Sequence, residues 1–179
     1  RQKKYSESIS LIREKIKQNP GDINSYGLLG STYFMMDDTQ KAFSAWEEGI
    51  AVIPANVVAY RVMANYAIEN RAFEKAIDIL ERGKIIADDP TIFSLDLSNI
   101  FAANMRFADA ANELCSLLKT RPDQISVIKS RIASYLQRQS SEEPIITTIK
   151  KFVDDNPLPQ MLDLLTYVYS LTGNFNDAF

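Results

Sequence analysis

One fixed interval governs this chain. Tyr5, Thr39, Phe73, Phe107, Ser141 and Phe175 stand that same distance apart, and three residues after each come Ser8, Ala42, Ala76, Ala110, Pro144 and Ala178. Self-similarity at such a period marks stacked supersecondary units, none of which buries its apolar face alone. Within one period the apolar residues fall at helical spacing in two stripes, Tyr26, Leu29 and Tyr33 against Ala42, Trp46 and Ile50, joined by the polar turn Asp37-Asp38. Small residues recur at Gly30, Ala64 and Ser98, and again at Ala42, Ala76 and Ala110. There they let two helices approach to the short end of the roughly 8–10 Å packing range while larger neighbours fill the flanks. Pro20, Pro54, Pro90, Pro122 and Pro157 fall between these pairs, where proline stops one helix before the next begins. The pattern predicts an all-α solenoid of antiparallel helix hairpins.

The residues that fill the period resemble the tetratricopeptide repeat family, whose unit is about 34 residues long. One full copy, 23–56, carries Tyr26, Leu29-Gly30, Tyr33, Ala42, Trp46, Gly49 and Pro54 in register. The copy at 57–90 keeps Tyr60, Met63-Ala64, Ala67, Ala76, Leu80 and Gly83, and that at 91–124 keeps Leu97-Ser98, Phe101, Ala110, Leu114 and Pro122. The copy at 125–158 departs: Arg131-Ile132 replaces the Leu-small pair, Pro144 stands where alanine is expected, and Pro157 arrives one residue late. Its hairpin is still expected, with Ser141 capping the second helix, Pro144 in the first turn and Ile145, Ile149 and Phe152 facing the core. Residues 4–22 read as the second helix of a preceding copy, and 159–179 as a first helix followed by the start of a second. The expectation is a single array over 1–179, excerpted from a longer protein, and the resemblance implies a right-handed superhelix. Tyr26, Tyr33, Trp46, Tyr60, Phe73, Phe101, Phe107 and Cys115 are expected in its core.

Composition narrows the function. Of 179 residues 46% are hydrophobic and 24% charged, enough apolar surface for a continuous core. The formal net charge is −3 with both signs scattered, which is not the basic field that phosphate backbones require, so nucleic acid is not an expected partner. The longest apolar candidate, 49–60, is cut by Pro54 and falls short of the roughly 20 residues of a spanning helix, so no membrane insertion is expected of this segment. Histidine is absent, which removes the commonest general base and the usual zinc ligand. Cys115 is the one cysteine, so neither an internal disulfide nor a cysteine metal cluster can form. No phosphate-cradling glycine run or calcium loop appears. The reading is a protein without catalytic residues or cofactor; its localisation is left open, since targeting information would lie outside this segment.

The resemblance implies that the first helix of each copy lines a concave face along which a protein or peptide partner lies. Carried over by position, that face would present Asn24 and Ser31, then Arg61, Asn65 and Glu69, then Leu95 and Asn99, then Lys129 and Gln137. Asn65 and Asn99 hold the same place in adjacent copies, so their amides are expected to bracket an extended peptide at a repeat spacing of about 10 Å. Arg61 with Asn65 resembles the start of the family's carboxylate clamp, but Asp96 and the Lys129/Ala133 pair break its continuation. Arg61 and Lys129 are instead expected to attract an acidic side chain. The function expected is an interaction scaffold; the competing readings are the substrate-recognition arm of an enzyme whose catalytic domain lies outside the segment, and a structural subunit of a larger assembly. Exposed repeat ends would let copies self-associate.

Overall fold

The computed structural model describes residues 2–173, and the expected second helix around Phe175 and Ala178 lies outside them. The described chain is α-helical throughout and divides after Pro90 into two compact units. The first holds α1 (Gln2–Gln18), α2 (Ile23–Met35), α3 (Thr39–Ala51), α4 (Val57–Glu69) and α5 (Phe73–Ala87). In it α2 pairs with α3 and α4 with α5 as antiparallel hairpins, while α2 also packs against α1 and α4. The second unit holds α6 (Ser94–Ala103), α7 (Phe107–Thr120), a single 3-10 turn at Pro122–Gln124, α8 (Ile125–Leu136), α9 (Glu142–Asp155) and α10 (Pro159–Thr172). This is the packing of an antiparallel helix-hairpin solenoid resembling the tetratricopeptide fold.

The turn inside each hairpin repeats down to single backbone bonds. Asp37, Arg71 and Met105, each one period from the next, adopt left-handed backbone with φ of 64°, 60° and 59°. In each case the following amide donates to the carbonyl five residues back: Asp38 to Tyr33, Ala72 to Ala67 and Arg106 to Phe101, at 3.0, 2.8 and 2.9 Å. Bonds of this kind satisfy the orphan carbonyls of a helix end and reverse the chain. None of the three is glycine, so each turn carries roughly 1–2 kcal/mol of local strain that the hairpin packing offsets.

Gly30 shows what that packing demands. A Cβ built there would lie 2.2 Å from Trp46 Nε1 and 2.4 Å from Cδ1, so α2 reaches α3 only because position 30 has no side chain. Trp46 is fully buried, its ring stacked on Phe34 and Phe43 with centroids 6.1 and 5.7 Å away, and its Nε1 donates to the Gly27 carbonyl at 3.2 Å. Of the expected core aromatics, Tyr33, Trp46, Tyr60, Phe101 and Phe107 are buried; Tyr26 and Phe73 are half-buried.

The fourth copy takes a different course. Its left-handed residue is Ser140, one place later than the period gives, and α9 starts correspondingly late at Glu142. Ser141 sits at the N-cap position but does not cap with its side chain; its hydroxyl donates instead to the Arg138 carbonyl at 2.7 Å. Pro144 lies in the first turn as expected, and Ile145 and Ile149 are fully buried while Phe152 is half-buried. The hairpin itself is loosened. α9 packs chiefly on α7 and α10 rather than on α8, because Ile132 and Pro144 replace the small residues at both close-approach positions.

That substitution also strands a hydroxyl. Tyr135 donates to Ser98 Oγ and Asn99 Oδ1 at 3.2 and 2.9 Å. Tyr169, one period on, would meet Ile132 and Ala133 by the same register, and its buried hydroxyl has no partner among the described residues. Opposite outcomes are expected from one substitution. Tyr135→Phe should destabilise by about 1 kcal/mol or more, whereas Tyr169→Phe should be neutral or stabilising by up to about 1 kcal/mol, since an unsatisfied buried donor is a cost. Urea denaturation of the two variants reads both.

Candidate functional site

The exposed face of the first helices is built from residues the hairpin cores do not use. On α4 the stripe Val58, Arg61, Asn65 and Glu69 recurs at helical spacing and lies on the solvent side of the helix, with Val58 54% exposed. On the neighbouring α2, Asn24, Leu28 and Met35 face outward, with Met35 63% exposed. The arrangement offers apolar contact area beside a cation, an amide and a carboxylate.

Ser31 is not part of that exposed surface. It is buried and accepts a 2.8 Å hydrogen bond from Asn70 Nδ2, which also donates to the Tyr66 carbonyl at 2.7 Å, so it ties α2 to the end of α4. The Tyr66 ring lies directly over Gly27, where an added Cβ would fall 2.0 Å from the ring edge. Burial is the main cause raising the Tyr66 phenol pKa, with the nearby Glu69 carboxylate adding to it.

In the second unit the expected residues are largely engaged. Asn99 is half-buried, and its amide oxygen accepts from Arg131 Nη1 at 2.5 Å as well as from Tyr135. Lys129 pairs with Asp163 at 2.7 Å and lies over the Tyr167 ring at 5.1 Å. Leu95 is half-buried on α6, and Gln137 is exposed at the C-cap of α8. Sequence reasoning missed these internal partners. One was within reach, since Asp163 stands one period after Lys129 and so meets it across neighbouring first helices.

A charged network joins the second helices of the first unit. Glu47 on α3 accepts a bidentate pair from Arg82 Nη1 and Nη2 at 3.0 and 2.7 Å and a further bond from Lys75 at 2.5 Å, both from α5. Partial burial works against its charge, but the bonds from Arg82 and Lys75 outweigh it and hold the carboxyl below its ordinary range. With the folded-state pKa below the unfolded one, the contribution is fully present above the unfolded pKa and is lost as pH falls through the folded value. The side chain is 38% exposed, so after solvent screening Glu47→Gln should cost on the order of 1 kcal/mol at neutral pH. That difference should vanish in acid, as melting curves of parent and variant across pH would record.

No group of three His, Cys, Asp or Glu side chains among the described residues is placed to hold a metal ion. Cys115 is fully buried, and burial pushes its thiol up to about 12, away from the thiolate needed for nucleophilic attack. No described helix is long and apolar enough to cross a membrane.

No family model matches the chain, and no curated protein matches it by sequence. Solved structures do match it. The MamA protein is 14% identical with a TM-score of 0.50, over 87% of this chain and 85% of its own. A tetratricopeptide repeat protein from Parabacteroides merdae is 11% identical with a TM-score of 0.50, over 97% of this chain and 69% of its own. At these identities the likeness speaks for architecture, and with the hairpin geometry above it shows that this chain has the tetratricopeptide-like helical-repeat fold.

Proposed function

We propose that the chain is a protein-interaction scaffold, its regular repeats at 23–56, 57–90 and 91–124, that holds a peptide or protein along the exposed face of the first helices α2 and α4. The observation that carries this reading is the α4 stripe of Val58, Arg61, Asn65 and Glu69 beside exposed Met35 on α2. Apolar anchors next to polar groups are what a binding patch requires. Asn24 on α2 extends the surface, and Leu95 and Gln137 are the corresponding candidates on the first helices of the second unit. Ser31 supports it from within, because its hydroxyl already serves an internal bond, and in the second unit the polar groups of Asn99 and Lys129 are likewise engaged internally.

The test is capture from the source cell with the parent chain and with a Val58→Glu, Asn65→Arg, Glu69→Lys variant as baits. All three positions lie on the solvent side of α4, so the variant should melt within a few degrees of the parent. A protein held by the parent and lost by the variant supports the reading. Equal capture by both contradicts it.

A further inference from the structure

Between α1 and α3 the first unit repeats the positions of its α3–α5 bridge with the outer charges exchanged, and the exchanged pair does not close. Counting back one period, Glu47 becomes Arg13, Lys75 becomes Lys41 and Arg82 becomes Glu48. Where Glu47 draws Lys75 and Arg82 together, Arg13 turns to the phenol of Tyr33, donating from Nη2 at 2.9 Å, and lies close enough to Lys41 for their charges to oppose each other. Both line a cleft of about 340 Å³, with Lys17 one turn beyond Arg13 and with Leu29 and Ala45, 4% and 2% exposed, among its apolar walls. No carboxylate among the described residues pairs with Arg13 or Lys17. Lys41 is held by Asp38 at 2.5 Å, and Glu48 is the acidic member of the lining.

Two unpaired cations beside a third, over an apolar wall, match an anion that carries an aliphatic neighbour. The volume, near the lower end of ligand sites, suits side chains rather than a large cofactor. We propose that this cleft receives an acidic side chain from a peptide segment of a partner protein. The guest carboxylate is drawn to Arg13, Lys17 and Lys41, which outnumber the one lining carboxylate, Glu48, and an adjacent aliphatic side chain packs on the apolar wall at Leu29 and Ala45. The site is lined by α1, α3 and the Leu29 and Tyr33 side of α2, not by the exposed stripe of α4, and stands independently of the binding surface proposed above.

The experiment titrates the full 179-residue chain with acetyl-Leu-Glu-Leu-Glu-Leu-Glu-amide, with its glutamine counterpart and with inorganic phosphate, following backbone amides by NMR. The acidic peptide should saturably shift the amides of Tyr33, Lys41 and Ala45, and should bind at least about ten-fold more tightly than the glutamine peptide at low salt, an advantage that shrinks as salt screens it. Arg13→Glu, which places an internal carboxylate opposite Lys41, should abolish binding while preserving the melting temperature. Lys17→Ala, at an exposed position, should weaken binding about three-fold or more and guards against misfolding of the first variant. Equal binding of both peptides, parental affinity in the folded variants, or shifts confined to other helices would overturn the proposal. Phosphate saturating the same amides at lower concentration than the peptide would overturn the peptide assignment in favour of a free-anion site.

Discussion

Trp46→Ala should lower stability by about 3–5 kcal/mol, the range for emptying a fully buried aromatic site. The ring is completely buried, stacks on Phe34 and Phe43, and carries the Nε1 bond to the Gly27 carbonyl, so truncation opens a cavity and removes a hydrogen bond together. The loss should be local in origin, since a helical repeat depends on its own packing and its nearest neighbours. Hydrogen exchange should therefore show protection falling first in α2 and α3, and a chemical denaturation curve gives the total. A loss below about 1 kcal/mol would mean that Trp46 does not fill the hairpin core.

The second large effect comes from adding a single methyl group. Gly30→Ala gains up to about 1 kcal/mol in helix propensity, yet its Cβ would sit 2.2 Å from Trp46 Nε1, far inside contact distance. Trp46 has little room to retreat, because it is fully buried and stacks on both Phe34 and Phe43. The helices must separate, and overpacking of this kind costs about 1–3 kcal/mol or more, so the net result should be a clear loss. The two substitutions should also be strongly non-additive. In the Trp46→Ala background the steric conflict is gone, and Gly30→Ala should become neutral or stabilising, with a coupling of about 2 kcal/mol or more in a double-mutant cycle. Simple additivity would show that the close approach of α2 and α3 does not rest on this pair.

The same pair explains why so much of the fold was legible. Gly30 and Trp46, each in the middle of an apolar stripe and one on either side of the polar turn, state both the helix spacing and the partner that fills it. The repeated left-handed turns at Asp37, Arg71 and Met105 follow from the same period, although nothing in their side chains announces a positive φ. What escaped the sequence were features fixed by residues from different copies. Ser141 is a good capping residue by type, but the extra residue in its turn leaves its hydroxyl on the Arg138 carbonyl. Ile132 and Pro144 were visible as departures, while their consequence, α9 settling on α7 and α10, depends on which neighbour offers the better apolar surface.

The binding face was legible as a set of positions but not as a set of available groups. Periodicity placed Asn65 and Asn99 alike, yet Asn65 lies on the open side of α4 whereas the Asn99 oxygen is held by Arg131 and Tyr135. Nothing at position 99 itself distinguishes the two; the difference lies with Arg131 and Tyr135 on the next first helix. Lys129 is likewise engaged by Asp163, so the exposed polar members of the expected set are Asn24, Arg61, Asn65 and Glu69 in the first unit and Gln137 in the second.

Site-specific photocrosslinking tests the central claim most directly. A benzophenone amino acid is placed in turn at Asn65 on the first-helix stripe and at Ile85 and Asn112, exposed positions on the second helices α5 and α7, and the chain is irradiated in the source cell. The scaffold reading predicts a discrete protein adduct from position 65 and none of that mass from 85 or 112. Adducts from 85 or 112 with none from 65 would contradict it and place the working surface on the second helices.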